Sequence, residues 1–310
     1  PRVARRITSP AVAPPGIPLP TDDAPIPAHR YYTPPPRPLA SCERQRSGEA
    51  PALALTTDTS FHNIVTMTSG HGGVGLSVMA SMLAWTLARR EHSCALIDAD
   101  FVAGCLDLLL GVEREPGLRF SQVDAPLDRI EGDAMNHELM MWEGVRVLPY
   151  DPWSARQPDW WEVQAAIRAL AEMNDVVIVD AGQGGLIETV PDLRSGMQVI
   201  AAELSVMGLA RAKSHRSRLD SWGCEAPHIV GVEPRGAPRG RGHVGIGEAQ
   251  DYLTATVLGP VKPSVNLCGD VLEGLGIRSV TKGSRKAVSL LADLVEQAIR
   301  PVSGASCKDR

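Results

Sequence analysis

From Asn63 onward, solid apolar runs of strand length alternate with longer stretches of helical periodicity. The runs 64–68, 94–98, 145–148, 176–180, 198–202, 228–232 and 254–258 are apolar without polar interleaving. That is the pattern of strands buried on both faces, as in a parallel sheet. Between them, 77–90, 160–173, 205–221, 271–275 and 285–299 read as helices. Within 285–299, Val288, Leu291, Leu294, Val295, Ala298 and Ile299 form one stripe, expected to face a core and not a membrane, since a lysine-rich face is missing. Strands alternating with helices predict an α/β fold: a doubly wound, mostly parallel sheet with helices on both faces.

The texture differs at the ends. Residues 1–60 are rich in proline (PAVAPPGIPLP, YYTPPPRPLA), and proline removes amide donors and fixes φ, so neither helix nor sheet propagates. This stretch is expected to be a disordered tail, with Pro34–Pro38 as a polyproline ligand in the sharper reading. The folded domain is expected over 61–300, followed by a polar tail, 301–310.

One junction breaks the alternation with chemistry. SGHGGVGLS, Ser69 to Ser77, lies between the first strand and the first helix. Gly70 and Gly75 have the spacing of a phosphate-binding loop, in which glycines let the backbone wrap phosphate oxygens and a helix N-terminus adds its dipole. Gly72, Gly73 and Val74 complete the cradle, and Ser77 stands where a hydroxyl would hold Mg²⁺. Leu76, however, occupies the place of the lysine.

Two further strands end in acids at the same sheet edge: CALIDAD with Asp98 and Asp100, and DVVIVDAG with Asp180. Ligands of doubly wound sheets bind at the carboxyl ends of strands. Asp98 and Asp100 are therefore candidate catalytic acids, and Ser77, Asp98 and Asp180 candidate Mg²⁺ holders. A strand-end aspartate is also a common turn former or helix cap.

Composition narrows the classes. A net charge of -5 argues against a general attraction to DNA or anionic lipid. The basic loop PRGAPRGRG, with Arg235, Arg239 and Arg241, is the exception, read as a flexible loop or a DNA-backbone contact. Six cysteines stand singly, without metal-ligand or disulfide spacing, which fits a reduced, cytoplasmic protein. No apolar run is long enough to span a bilayer. Four tryptophans, Trp142, Trp153, Trp160 and Trp161, are expected to be partly buried, with Trp160 and Trp161 as candidate partner contacts.

The runs TSGHGGVGLS, LIDADFVAGCLDLLLGVEREPGL and DVVIVDAGQGG together resemble the MinD/ParA family of P-loop ATPases, with its deviant KGGVGK[ST] loop. The phrases LDLLLGVE, EPGLR and VRVLP are similar to its actinobacterial CpaE-like branch, which includes septum site-determining proteins. The resemblance covers about 63–300. It implies ATP and Mg²⁺ as ligands, a nucleotide-dependent homodimer, and partners in the division or secretion/pilus machinery, with recruitment to the septum or membrane through them. Two positions depart from the family pattern: His71 replaces the lysine that reaches across the dimer, and Leu76 the lysine on the β/γ-phosphates. Both weaken the expected ATP site. Loss of one cationic group in phosphoryl transfer costs on the order of 10³–10⁵ in rate, judged from arginine fingers, and the next lysines, Lys213, Lys262 and Lys282, are remote in sequence. The expectation is a degenerate member, a regulator or scaffold with weak or absent hydrolysis. The rivals are an active ATPase whose cation comes from elsewhere, and a DNA-partitioning protein.

Overall fold

The structure, a computed structural model, describes residues 61–125, 129–154, 156–238 and 241–299. The expectations for 1–60, for 301–310 and for Arg239 lie outside them. The strands are β1 (Ile64–Ser69), β2 (Cys94–Asp98), β3 (Met140–Trp142), β4 (Val145–Leu148), β5 (Val176–Asp180), β6 (Met197–Glu203), β7 (His228–Val232) and β8 (Val257–Val261). The helices are α1 (Leu76–Ala88), α2 (Leu106–Leu110), α3 (Gly132–Glu138), α4 (Trp160–Met173), α5 (Asp192–Ser195), α6 (Val206–Ser221), α7 (Ile246–Leu253), α8 (Val265–Leu272) and α9 (Lys282–Ile299).

The sheet runs β3-β4-β2-β5-β1-β6-β7-β8, parallel throughout except for the β3–β4 pair. Every residue of β1, β2 and β5 is buried, as their unbroken apolar character predicts. One core lies on the face covered by α4, α6 and α7, through residues such as Val163, Ile167, Leu209 and Leu253. The second lies on the opposite face under α1 and α9, through Met79, Leu83, Val288 and Leu291. The architecture is the doubly wound one that the alternation implies.

Helix α1 is buried nearly all round, because it is wedged between the sheet and α9. Arg90 ties its end to α9 through Asp293 at 2.8 Å and the Ser289 hydroxyl at 2.8 Å. That packing fixes the axis of the helix whose first turn borders the glycine loop.

The sequence reading missed α2, α3, α5 and α7, started α9 at 285 in place of Lys282, and misplaced two further elements. The last strand starts at Val257 and not at 254, since Thr254 takes a left-handed conformation (φ 51°) that closes α7. The helix expected at 271–275 instead spans Val265–Leu272, started by the Ser264 hydroxyl, which accepts the Leu267 N–H at 3.3 Å. Strand β3 is an additional antiparallel edge of three residues, too short for a period to show. Of the tryptophans, Trp142 is buried edge-on against Trp85, centroids 5.4 Å apart. Trp153 is 71% exposed, and Trp160 and Trp161 are partly exposed. No described helix is long and apolar enough to cross a membrane.

Candidate functional site

The carboxyl ends of β1, β2 and β5 are neighbours in the sheet, and their loops wall a cavity of about 650 Å³. The glycine loop supplies one side. Gly73 (φ 82°) and Gly75 (φ 90°, ψ 29°) are left-handed, the alternation that turns successive N–H groups into an anion-binding concavity. Gly70 has a different reason for being glycine: a Cβ there would sit 2.9 Å from the Arg211 backbone. The loop is thus pressed against α6, and its shape is fixed from behind.

Ser77, in the first turn of α1, hydrogen-bonds the Asp180 carboxylate at the end of β5. Asp180 also accepts the Gly182 N–H at 3.2 Å. Burial nevertheless dominates and lifts its carboxyl to about 6, with the Ser77 and Gly182 contacts pulling the other way. Asp100 lines the cavity. Its Oδ1 accepts the N–H groups of Val102 and Ala103 at 3.2 and 3.1 Å, so it holds the turn after β2. Its Oδ2 leans on Gly182, where a Cβ would come within 2.5 Å.

Asp98 is different. It pairs in register with Asp180, is 1% exposed, and is not part of the cavity wall. Its two oxygens accept the N–H groups of Asp100 (3.2 Å) and Leu106 (3.1 Å). Burial and the neighbouring Asp180 push its carboxyl well above the usual range. In this arrangement Asp98 organises the turn and the start of α2, the helix-cap role open to any strand-end aspartate. The wall of the cavity carries Ser77, Asp100 and Asp180 instead.

Leu76 and His71 also have definite places. Leu76 is 6% exposed and packs among the apolar residues of α1 and the sheet while touching the cavity floor. His71 is not part of the wall. Its Nδ1 lies 2.8 Å from the Gly72 carbonyl, so Nδ1 carries the proton and donates. Nε2 is buried without a partner.

Shape, loop conformation and the Ser77–Asp180 pair fit a magnesium–phosphate group, and position 76 carries a leucine. Among the described residues no three acidic, histidine or cysteine side chains converge into a metal cage. Mg²⁺ in a phosphate site does not require one, since it keeps waters and phosphate oxygens as ligands.

Two features go beyond the sequence reading, which took Arg235 only as part of a flexible or DNA-contacting loop. Arg235, just after β7, lines the cavity, and its Nη2 lies 3.3 Å from where a Cβ on Gly75 would be. Its position three residues past a strand end is the signal that was available. The second is a buried chain of hydrogen bonds under the loop. His215 Nε2 is 2.8 Å from Thr68 Oγ1, and Arg218 Nη2 is 2.7 Å from His215 Nδ1. Arg218 also donates to the Gln183 carbonyl at 2.8 Å. Burial, with Arg218 adding to it, lowers the imidazole to about 4. This chain ties β1, α6 and the segment after β5 together. Hydrogen bonds between distant side chains leave no periodicity to read.

The family model described as ParA, NUBPL iron-transfer P-loop NTPase, matches residues 60–143. The septum site-determining protein MinD of Synechocystis sp. is 28% identical over 156 residues, 47% of this chain and 56% of that protein. The chain spans about half the length of the curated MinD relatives it matches first. Among solved structures, a ParA family ATPase from Chlorobium tepidum superposes with a TM-score of 0.61 at 16% identity, over 74% of this chain and 98% of that one. MinD from Pyrococcus horikoshii, solved with Mg-ADP, gives 0.56 at 20% identity over 76% and 96%. At such identities the superpositions establish the fold, and the family-model match covers the glycine loop and the acids that end β2. Over the matched residues the chain is similar to ParA/MinD P-loop NTPases, and it shares their fold.

Proposed function

We propose that this chain is a nucleotide-binding regulator or scaffold of the septum-site or partition type, with weak or absent ATP hydrolysis. The observation that carries the reading is the buried Leu76 at the floor of an otherwise complete cradle. Ser77 and Asp180 keep the magnesium side of the site, while the ammonium that would meet the β/γ-phosphates has no counterpart at position 76. The loop amides and Mg²⁺ support binding, and Asp100 lines the space where a water would be oriented.

Association at the carboxyl edge of the sheet fits this role. Val102 (93% exposed), Trp153 and Val206 (77% exposed) follow β2, β4 and β6 there. That is the nucleotide face, through which a second copy or a division or secretion partner would bind. The DNA-partitioning reading loses one of its three arginines, since Arg235 is turned onto the glycine loop.

Turnover decides the matter. Purified protein with Mg-ATP is expected to release phosphate no faster than its Asp100→Ala variant. Turnover at ordinary ATPase rates, lost in that variant, establishes the active-enzyme reading in place of this one.

A further inference from the structure

We infer that Arg235 supplies the cation that position 76 lacks, clamping the phosphate chain of a bound nucleoside diphosphate or triphosphate from the β7 side. The inference rests on the nucleotide-binding reading above and adds the residue that makes binding workable without the lysine.

Three observations converge on it. The first is placement. Nη2 of Arg235 lies 3.3 Å from the Cβ position of Gly75, the last glycine of the cradle, so the guanidinium rests directly over the loop. The second is availability. The neighbouring acid, Glu233, is engaged by Lys262 at 3.5 Å. Arg235 has no ion-pair partner among the described residues, and its charge is free to meet phosphate oxygens. The third is continuity. Arg235 borders the phosphate cavity and also a second, more apolar cavity of about 620 Å³ between α1 and α8. Val74, Gly75, Val78 and Leu109 are shared by both walls. A ligand with its phosphates on the loop and its base in the apolar cavity would border Arg235, which lines both.

The chain around Arg235 holds it there. Glu233 donates its N–H to the Val261 carbonyl at 2.9 Å, which pins the loop to β8. Val244 donates to the Leu204 carbonyl at 2.8 Å, which pins the far end. Pro234 fixes φ immediately before the arginine. A guanidinium offers several donors in a planar fork, suited to phosphate oxygens. It comes from the segment after β7, whereas a lysine at position 76 would come from α1. It therefore favours holding the phosphate chain over assisting γ-phosphate transfer.

The test is equilibrium binding of Mg-ADP, which removes turnover from the measurement, to the full chain and to its Arg235→Ala, Arg235→Lys and Arg241→Ala variants. Loss of a hydrogen bond between charged groups predicts that Arg235→Ala weakens binding roughly ten- to a hundredfold. Arg235→Lys is expected to recover part of the loss, and Arg241→Ala, on the same loop, to bind as the parent does. If the parent binds and Arg235→Ala binds equally well, the clamp is wrong and the nucleotide reading stands. An equal loss in Arg241→Ala points to the general field of the loop and also overturns the clamp. If the parent does not bind Mg-ADP, the nucleotide reading fails and takes the clamp with it.

Discussion

The Ser77 hydroxyl and the Asp180 carboxylate are hydrogen-bonded across the gap between α1 and β5, in a site buried enough to raise Asp180 to about 6. An aspartate in an unfolded chain titrates near 3.8. The folded state therefore binds the proton more tightly, and folding stability falls as pH rises from about 4 to about 6. Above 6 the cost is complete, about 3 kcal/mol at 1.36 kcal/mol per pH unit. Asp180→Asn keeps the shape and cannot ionise. It is expected to be more stable than the parent by about 1–3 kcal/mol above pH 6, with the difference vanishing near pH 4. Urea denaturation of both proteins across that range measures it. A gap that does not change with pH removes the electrostatic explanation.

His215 acts in the opposite direction. Its folded value, about 4, lies below the 6.5 of a free histidine, because the ring is buried and the Arg218 charge stands beside it. The unfolded chain binds the extra proton, so stability is lost as pH falls from about 6.5 to about 4. The two windows overlap with opposite signs, and the parent is expected to show a shallow pH profile. Replacing His215 by Gln removes one of the opposing terms. The variant is expected to become more stable with falling pH between 6.5 and 4, relative to its own value at pH 7. A profile parallel to the parent's would show that His215 does not titrate in that range.

What could be read in advance follows from how local each feature is. The strands carrying the site are continuous apolar runs, so β1, β2 and β5 and the acids at their ends were legible from the residues alone. The glycine loop was legible because its function demands glycine at fixed spacing. Asp98 and Asp100 were not separable by sequence, since both are aspartates at one strand end. Only the fold shows that Asp98 spends both oxygens on backbone amides while Asp100 faces the cavity. Arg235 was visible as a basic loop residue, but its direction depends on how β7 and β8 anchor that loop. The Thr68–His215–Arg218 chain joins residues far apart in sequence, and nothing local announces it.

Gly182 gives a direct handle on Asp100. It has φ 54°, and a Cβ there would meet Asp100 Oδ2 at 2.5 Å. Gly182→Ala is expected to cost about 1–3 kcal/mol in folding stability through strain and crowding, and to displace the Asp100 carboxylate. Gly185→Ala is the control, with nothing within 4 Å of its Cβ. If the crowding is with Asp100, the cost of Gly182→Ala shrinks in an Asp100→Ala background, which a double-mutant cycle reads out. Strictly additive effects would place the strain in the backbone alone.

Restoring the lysine separates a missing charge from a missing pocket. Leu76 is buried against the α1 core, so Leu76→Lys gives up apolar burial worth about 1–3 kcal/mol. Part of that is recovered if the ammonium reaches into the cavity that Leu76 borders. Thermal denaturation without nucleotide is therefore expected to show a less stable protein. Binding is expected to move the other way. An ammonium on phosphate oxygens in a partly dry cradle strengthens Mg-ATP affinity by about tenfold or more, and further when His71→Lys is added. Leu76→Met controls for shape, since it changes the packing without adding charge, and is expected to leave affinity unaltered. If the double lysine variant binds Mg-ATP no better than the parent, the deficit does not lie in the missing ammonium.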